Sequence, residues 1–318
     1  MSTRALLVRT APLAALTLVA SIAGACATGV PAAPPSAVIA PGSPPPTSPV
    51  TPVTPPSPAA DAIEHPTGPN DVVLRAATRG GFIRLQTVMS RVPEFTLYGD
   101  GRALVLPPGD DAAGGRGGGL NPGAAGGDPV QIPTLRETHL SEDEVQALLK
   151  YALVDGRLGT ARDAYMGGNM DAPSTVFDLH ADGADRAILV TGLTNDPAPG
   201  PDAAAIKAFA DLVDKLRSIP TDADYASDRT IAYLAETEGP QGVPVEAWPW
   251  TDLAPADFAQ PADDAAIPFA SHLLNAGQVD AASALTGGKP ALVSVKGPDG
   301  RTYSLLLRPA LPDEVPGG

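Results

Sequence analysis

The chain has 318 residues, with 36 acidic against 21 basic side chains and a formal net charge of −15. Such a balance repels nucleic acid and anionic lipid head groups, and no basic stripe with interleaved aromatics overrides it. The single cysteine allows no intrachain disulfide, and with aromatics at 4% a core must be built mainly from Leu, Val, Ile and Ala.

Residues 1–25 read as an export signal peptide. Arg4 and Arg9 form a short positive region without acids. Ala11 to Ala25 is apolar, with Leu13, Leu16, Leu18, Val19 and Ile22 as its larger members. That run is shorter than the roughly 20 apolar residues a membrane-crossing helix needs. Ala23-Gly24-Ala25 is a small-residue cleavage site, which places signal cleavage after Ala25. Together with Cys26 it resembles a bacterial lipobox, with Ala23 where Leu, Val or Ile is usual. The resemblance implies lipidation of Cys26 by a diacylglyceryl group and a mature chain starting there. It also implies a location on the outer face of the cell membrane; simple secretion is the alternative. Two or more acyl chains make a stable anchor. Loss of residues 1–25 removes two arginines and no acids, leaving 19 basic and 36 acidic residues and a charge of −17.

From Val30 to Asn70 proline dominates. PGSPPPTSPVTPVTPPSP (Pro41 to Pro58) has no hydrophobic periodicity and cannot bury a core. Chain of this kind samples polyproline II at about 3.1 Å per residue, so some forty residues reach on the order of 100 Å. Residues 26–70 are read as a lipid-anchored spacer.

Beyond it, 71–220 is read as an α+β domain, 221–312 as a smaller subdomain or its continuation, and 313–318 as a tail. FTLYGDGRALVL (Phe95 to Leu106), FDLHADGADRAILV (Phe177 to Val190) and VSVKGPDGRTYSLLL (Val293 to Leu307) each place an Asp-Gly turn between alternating apolar runs. Asp and Gly tolerate the positive φ of tight hairpins, so an antiparallel sheet built from repeated Asp-Gly hairpins is expected. Further strands are expected at Val72 to Leu74, Gln131 to Thr138 and Thr230 to Glu236. The insert Gly109 to Asp128 is glycine-rich and reads as a loop.

Ser141-Glu142-Asp143-Glu144 is a capping box, followed by Val145, Leu148, Leu149, Ala152 and Leu153 on one helical face up to Gly156. A second helix begins near Pro201-Asp202, with Ile206, Phe209, Leu212, Val213 and Leu216 at helical spacing, and stops before Pro220. A shorter one is expected at Val279 to Leu285. Helices on one face of the sheet complete the α+β class, possible division into two subdomains included.

PEFTLYGDGRALV, LSEDEVQALL, APSTVFDLHADG and the terminal LLLRPALPDE resemble an uncharacterised group of secreted lipoproteins from high-GC Gram-positive (actinobacterial) bacteria. The resemblance covers most of the domain and implies location and fold, but no activity.

Chemistry-bearing residues are sparse. His65 lies in the spacer; His139 precedes a helix, His180 sits beside a turn, and His272 is the fourth. No HExxH, G-x-S-x-G or S-x-x-K motif occurs. Asp178 to Gly183 lacks an EF-hand's ligands, having His180 at its third position and Leu189 at its twelfth. Acidic Asp263-Asp264 reads at most as a weak calcium contact. The glycine-rich insert has no G-K-[ST]. No cofactor or metal site is expected.

Trp248 and Trp250, flanking Pro249, and His180 are the binding candidates, with packing into the domain as the plainer role for the tryptophans. The leading expectation is a surface lipoprotein whose domain binds an envelope protein or glycan without catalysis. An envelope hydrolase would draw on Asp163, Asp171 and Asp178, or on a Ser/His site. A carrier of an apolar ligand would need a long cavity between sheet and helices.

Overall fold

A computed structural model describes residues 62–81, 85–109, 132–167, 171–238, 244–262, 269–289 and 291–317. Cys26, Ala25, most of the spacer, the glycine-rich insert beyond Gly109 and Asp263-Asp264 lie outside them. The fold is mixed α+β, mostly strands in two sheets with few helices. Both sheets belong to one unit, Ser57–Gly318.

The first sheet contains β1 (Val72–Arg79), β2 (Phe95–Tyr98), β3 (Arg102–Val105), β4 (Arg136–His139), β5 (Ala164–Met166), β6 (Ser174–Ala181), β7 (Ala184–Thr191) and β8 (Ala223–Asp224). Their order is β5-β7-β6-β1-β2-β3-β4-β8, antiparallel except for the β5–β7 pair. The β6–β7 connection is tight because Asp182 and Gly183 both take positive φ, 55° and 69°, the backbone a two-residue primed turn requires. Gly101, at φ 89°, turns β2 into β3 where a Cβ would stand 2.5 Å from the Leu140 carbonyl oxygen.

Two helices cover one face of this sheet. In α2 (Glu142–Val154) the Ser141 hydroxyl accepts from the Glu144 amide while Glu144 accepts from the Ser141 amide, completing the capping box. Val145, Leu148, Leu149 and Ala152 turn inward. α3 (Ala203–Arg217) buries Ile206, Phe209, Leu212, Val213 and Leu216. Phe209 meets Tyr165 edge-on at 4.9 Å and Phe177 at 5.7 Å between ring centroids, linking α3 to β5 and β6.

The second sheet contains β9 (Thr230–Glu236), β10 (Glu246–Ala247), β11 (Ala270–Leu274), β12 (Ala291–Lys296) and β13 (Thr302–Pro309) in the order β10-β12-β13-β9-β11. α4 (Ala276–Thr286) packs on one face through Val279, Ala282 and Leu285. Its N-terminus carries a second capping box, Asn275 with Gln278.

The strands from Thr230 onward form a sheet of their own, because β9 pairs with β13 and β11 and joins none of the earlier strands. The segment 62–70, grouped with the spacer by its prolines, lies against the domain. Ile63 exchanges two hydrogen bonds with the Gln146 side chain, and His65 Nε2 is 3.2 Å from Glu142 Oε1.

Phe209 is fully buried, so Phe209→Ala is expected to cost about 3–5 kcal/mol of unfolding free energy in urea denaturation. A cost near zero would show that α3 is not held by its aromatic contacts.

Candidate functional site

Each sheet keeps a face free of α2, α3 and α4. On the first, Tyr98, Leu104, Leu106 and Leu135 cluster with Leu311; on the second, Ile231, Tyr233, Ala235 and Leu306 cluster with Met89 and Ala310. Met89 comes from α1 (Leu85–Met89), and Ala310 and Leu311 follow β13 directly. The chain after β13 therefore belongs to both clusters.

Leu311-Pro312-Asp313-Glu314 closes as a turn, with the Glu314 amide 3.2 Å from the Leu311 carbonyl. Pro312 pre-sets φ for the second position of such a turn. The two acids then diverge. Asp313 Oδ1 accepts from Arg75 on β1 and from the Tyr98 hydroxyl on β2, each at 2.7 Å. Glu314 takes the Arg308 guanidinium through both carboxylate oxygens, one contact at 2.9 Å, and accepts from the Tyr233 hydroxyl at 3.0 Å. Adjacent carboxylates thus bind opposite sheets.

Burial opposes the charge on both acids, but the facing guanidiniums prevail and hold both carboxyls below the usual range. Burial beside these acids pushes the Tyr98 and Tyr233 hydroxyls far up, so both stay donors. The pairing of Arg308 uses both terminal nitrogens and leaves its buried Nε without an acceptor among the described residues.

Segment 225–229 closes the seam. The Tyr225 amide bonds the Leu135 carbonyl, and its hydroxyl donates to the Ala310 carbonyl at 2.6 Å. Burial raises the Tyr225 hydroxyl as well. Arg229 gives its guanidinium to the carbonyls of Leu311 at 2.6 Å, Pro312 at 2.8 Å and Glu314 at 3.4 Å. It has no carboxylate partner among the described residues.

Two cavities border this segment. One, of about 320 Å³ and partly open, is walled chiefly by Val92, Ile132, Leu135, Pro309 and Leu311, with Thr134, Tyr225, Ser227 and Arg308 as its polar members. The other, of about 550 Å³, is a polar cleft edged by Asn70, Arg102, Ser227, Asp228 and Arg229. Both share Tyr225, Ala226 and Ser227. The apolar one lies between the sheets, whereas the carrier reading looked between sheet and helices.

The residues singled out from sequence lie elsewhere. Trp250 is 5% exposed and donates to the Gln278 carbonyl; half-buried Trp248 donates to the Leu253 carbonyl and meets Trp250 edge-on at 5.1 Å. Both belong to the core against α4. His180 Nδ1 pairs with Asp185 across the β6–β7 connection at 3.0 Å, and His272 packs against Phe258. Asp178 lies on β6, 3.8 Å from Arg79, as a counter-ion. Asp163 precedes β5, two strand positions away and so roughly 10 Å off, while Asp171 is exposed ahead of β6. No carboxylate pair converges there.

Among the described residues no group of three or more His, Cys, Asp or Glu could hold a metal ion, and no helix is long and apolar enough to cross a membrane. No protein-family model matches the chain, nor does any curated protein or solved structure.

Sequence reasoning missed Tyr225, Arg229, Arg308, Asp313 and Glu314. The one available signal was PDE closing an apolar strand: two adjacent acids held by a proline at a position read as tail.

Glu314→Gln leaves Arg308 buried without its counter-charge, which is expected to cost about 3–5 kcal/mol at pH 7. Because both acids have depressed folded pKa values, their contribution is complete above the unfolded carboxylate range near about 4 and is lost as pH falls below it. Denaturation midpoints against pH should drop on that acid limb in the native chain and fall less steeply in the variant.

Proposed function

We propose that this chain is a lipid-anchored protein of the outer membrane face whose domain binds a small, mainly apolar ligand and catalyses nothing. The observation that carries the binding half is the cavity at the seam of the sheets. The cavity is partly open to solvent, and its volume of about 320 Å³ falls within the roughly 300–1,000 Å³ of small-molecule clefts. Its walls are mainly apolar, with Thr134, Tyr225, Ser227 and the paired Arg308 as polar groups among them, a mixture usual in such sites.

The anchoring half is supported by the Ala23-Gly24-Ala25-Cys26 lipobox and the proline-rich stretch after it. Membership of the secreted actinobacterial lipoproteins belongs to the same proposal, as does the reading of Asp-Gly hairpins as the repeated unit and of the second sheet as a smaller subdomain. A tether reaching on the order of 100 Å holds such a domain where an envelope glycan, protein or shed lipid is met.

Mass spectrometry of the mature N-terminus tests the anchor. A diacylglyceryl thioether on Cys26 is expected, and Cys26→Ser should free the protein into the medium; an unmodified Cys26 overturns it. For binding, the neutral probe N-phenyl-1-naphthylamine should saturate at one site on the Cys26→Ser chain. Thr134→Trp, an exposed position bordering the cavity, should weaken it tenfold or more. Absence of saturable binding, or binding unchanged by Thr134→Trp, rejects the cavity as the site.

A further inference from the structure

The apolar cavity does not stand alone: the polar cleft adjoins it along Tyr225, Ala226 and Ser227. We propose that the two form one site for a carboxylate amphiphile, with a single hydrocarbon chain between the sheets and its carboxylate at Arg229. The inference rests on the apolar-ligand reading above and adds the head group.

Size sets the chain. An apolar cavity of roughly 150 Å³ takes benzene, so about 320 Å³ admits about a dozen non-hydrogen atoms. A bulky sterol or a two-chain lipid exceeds that; a single chain of about ten carbons fits.

Charge sets the head. Arg308, at the apolar cavity, is balanced by Glu314 and has no charge to offer. Arg75 is likewise taken by Asp313. Arg229 differs: its partners are three backbone carbonyls, which bind a guanidinium without cancelling its charge. Arg102, on the same cleft, donates to the Pro69 carbonyl at 2.7 Å and has Asp100 no nearer than 3.9 Å. Asp228 also edges the cleft and Asp100 is the counter-ion of Arg102, so Arg229 is the guanidinium there that has only carbonyl partners. A planar carboxylate matches guanidinium geometry better than a hydroxyl or an ammonium does.

The test is a head-group series on the native domain sequence, using the full exported chain with Cys26→Ser and no detergent. Decanoate is expected to bind at least tenfold more tightly than decanol, while decyltrimethylammonium binds more weakly than either. Shortening the chain should weaken binding about fourfold per methylene. Arg229→Gln should erase the preference for decanoate over decanol, and Asp228→Asn should tighten decanoate severalfold without touching the Arg229 carbonyl contacts. Because Arg229→Gln removes hydrogen bonds from the terminal turn, Arg229→Lys serves as the second variant, expected to fold and to retain part of the preference. Equal binding of decanoate and decanol, or tighter binding of the ammonium, overturns the head-group inference and leaves the apolar cavity in place. No binding of any of the three overturns both.

Discussion

Asp313 and Glu314 are neighbours in the chain and their side chains go to different sheets. That arrangement, with the apolar contacts of Met89 and Leu311 around it, ties the two sheets together. Each acid meets an arginine and a tyrosine from the sheet it serves, so the charge leaving water is neutralised and hydrogen-bonded at the same place. A buried carboxylate without such partners would cost several kcal/mol, on the order of the whole stability of a domain. The turn that sends the acids apart is therefore as necessary as the pairs. It is set by Pro312 and by Arg229, which draws three carbonyls of the turn onto one guanidinium.

The same device explains why the seam is imperfectly filled. Faces that pack sheet on sheet interdigitate side chains over a layer about 10 Å thick. Here the terminal turn and α1 enter between the helix-free faces, and the hydrogen-bonding of the turn fixes where Pro309, Leu311 and Pro312 sit. Residues so constrained cannot slide to fill space. The partly open cavity lies beside them, with Pro309 and Leu311 among its mainly apolar walls. The cavity and the joining of the sheets thus share the terminal turn, so a ligand held there would bear on the stability of the seam.

Elements encoded within a few residues were legible in the sequence. The Ser141–Glu144 box and the inward stripe of α2 need only local geometry, as do the helical stripe from Ile206 to Leu216 and the strand Thr230–Glu236. α4 was expected only from Val279, because its cap uses Asn275 and Gln278, which resemble any polar loop until the Gln side chain is seen to reach back. The pairing of β9 with β13 was not legible, since it joins residues some seventy positions apart. Nor was the site. Trp248, Trp250 and the aspartates around β6 stand out by residue type, yet type does not say whether a ring is packed or a carboxylate already paired. Arg75, Tyr98, Arg229, Arg308 and the terminal acids are ordinary residues until the fold brings them together.

The overall charge would argue against an anionic ligand if charges acted at long range. At physiological salt the Debye length is about 8 Å, so the remote surface acids are largely screened from the seam. What a carboxylate there meets is the local set: Arg229 on its three carbonyls, Arg102 already paired with Asp100, and Asp228, beside the low-dielectric walls of the apolar cavity. Low-dielectric walls strengthen nearby interactions more than distant ones. Arg308 shows the principle from the other side, since it remains charged at 2% side-chain exposure because Glu314 is in contact with it. The net charge of −15 therefore governs what the protein meets in solution, while the sign of any ligand the seam would take is decided within a few ångströms of Arg229.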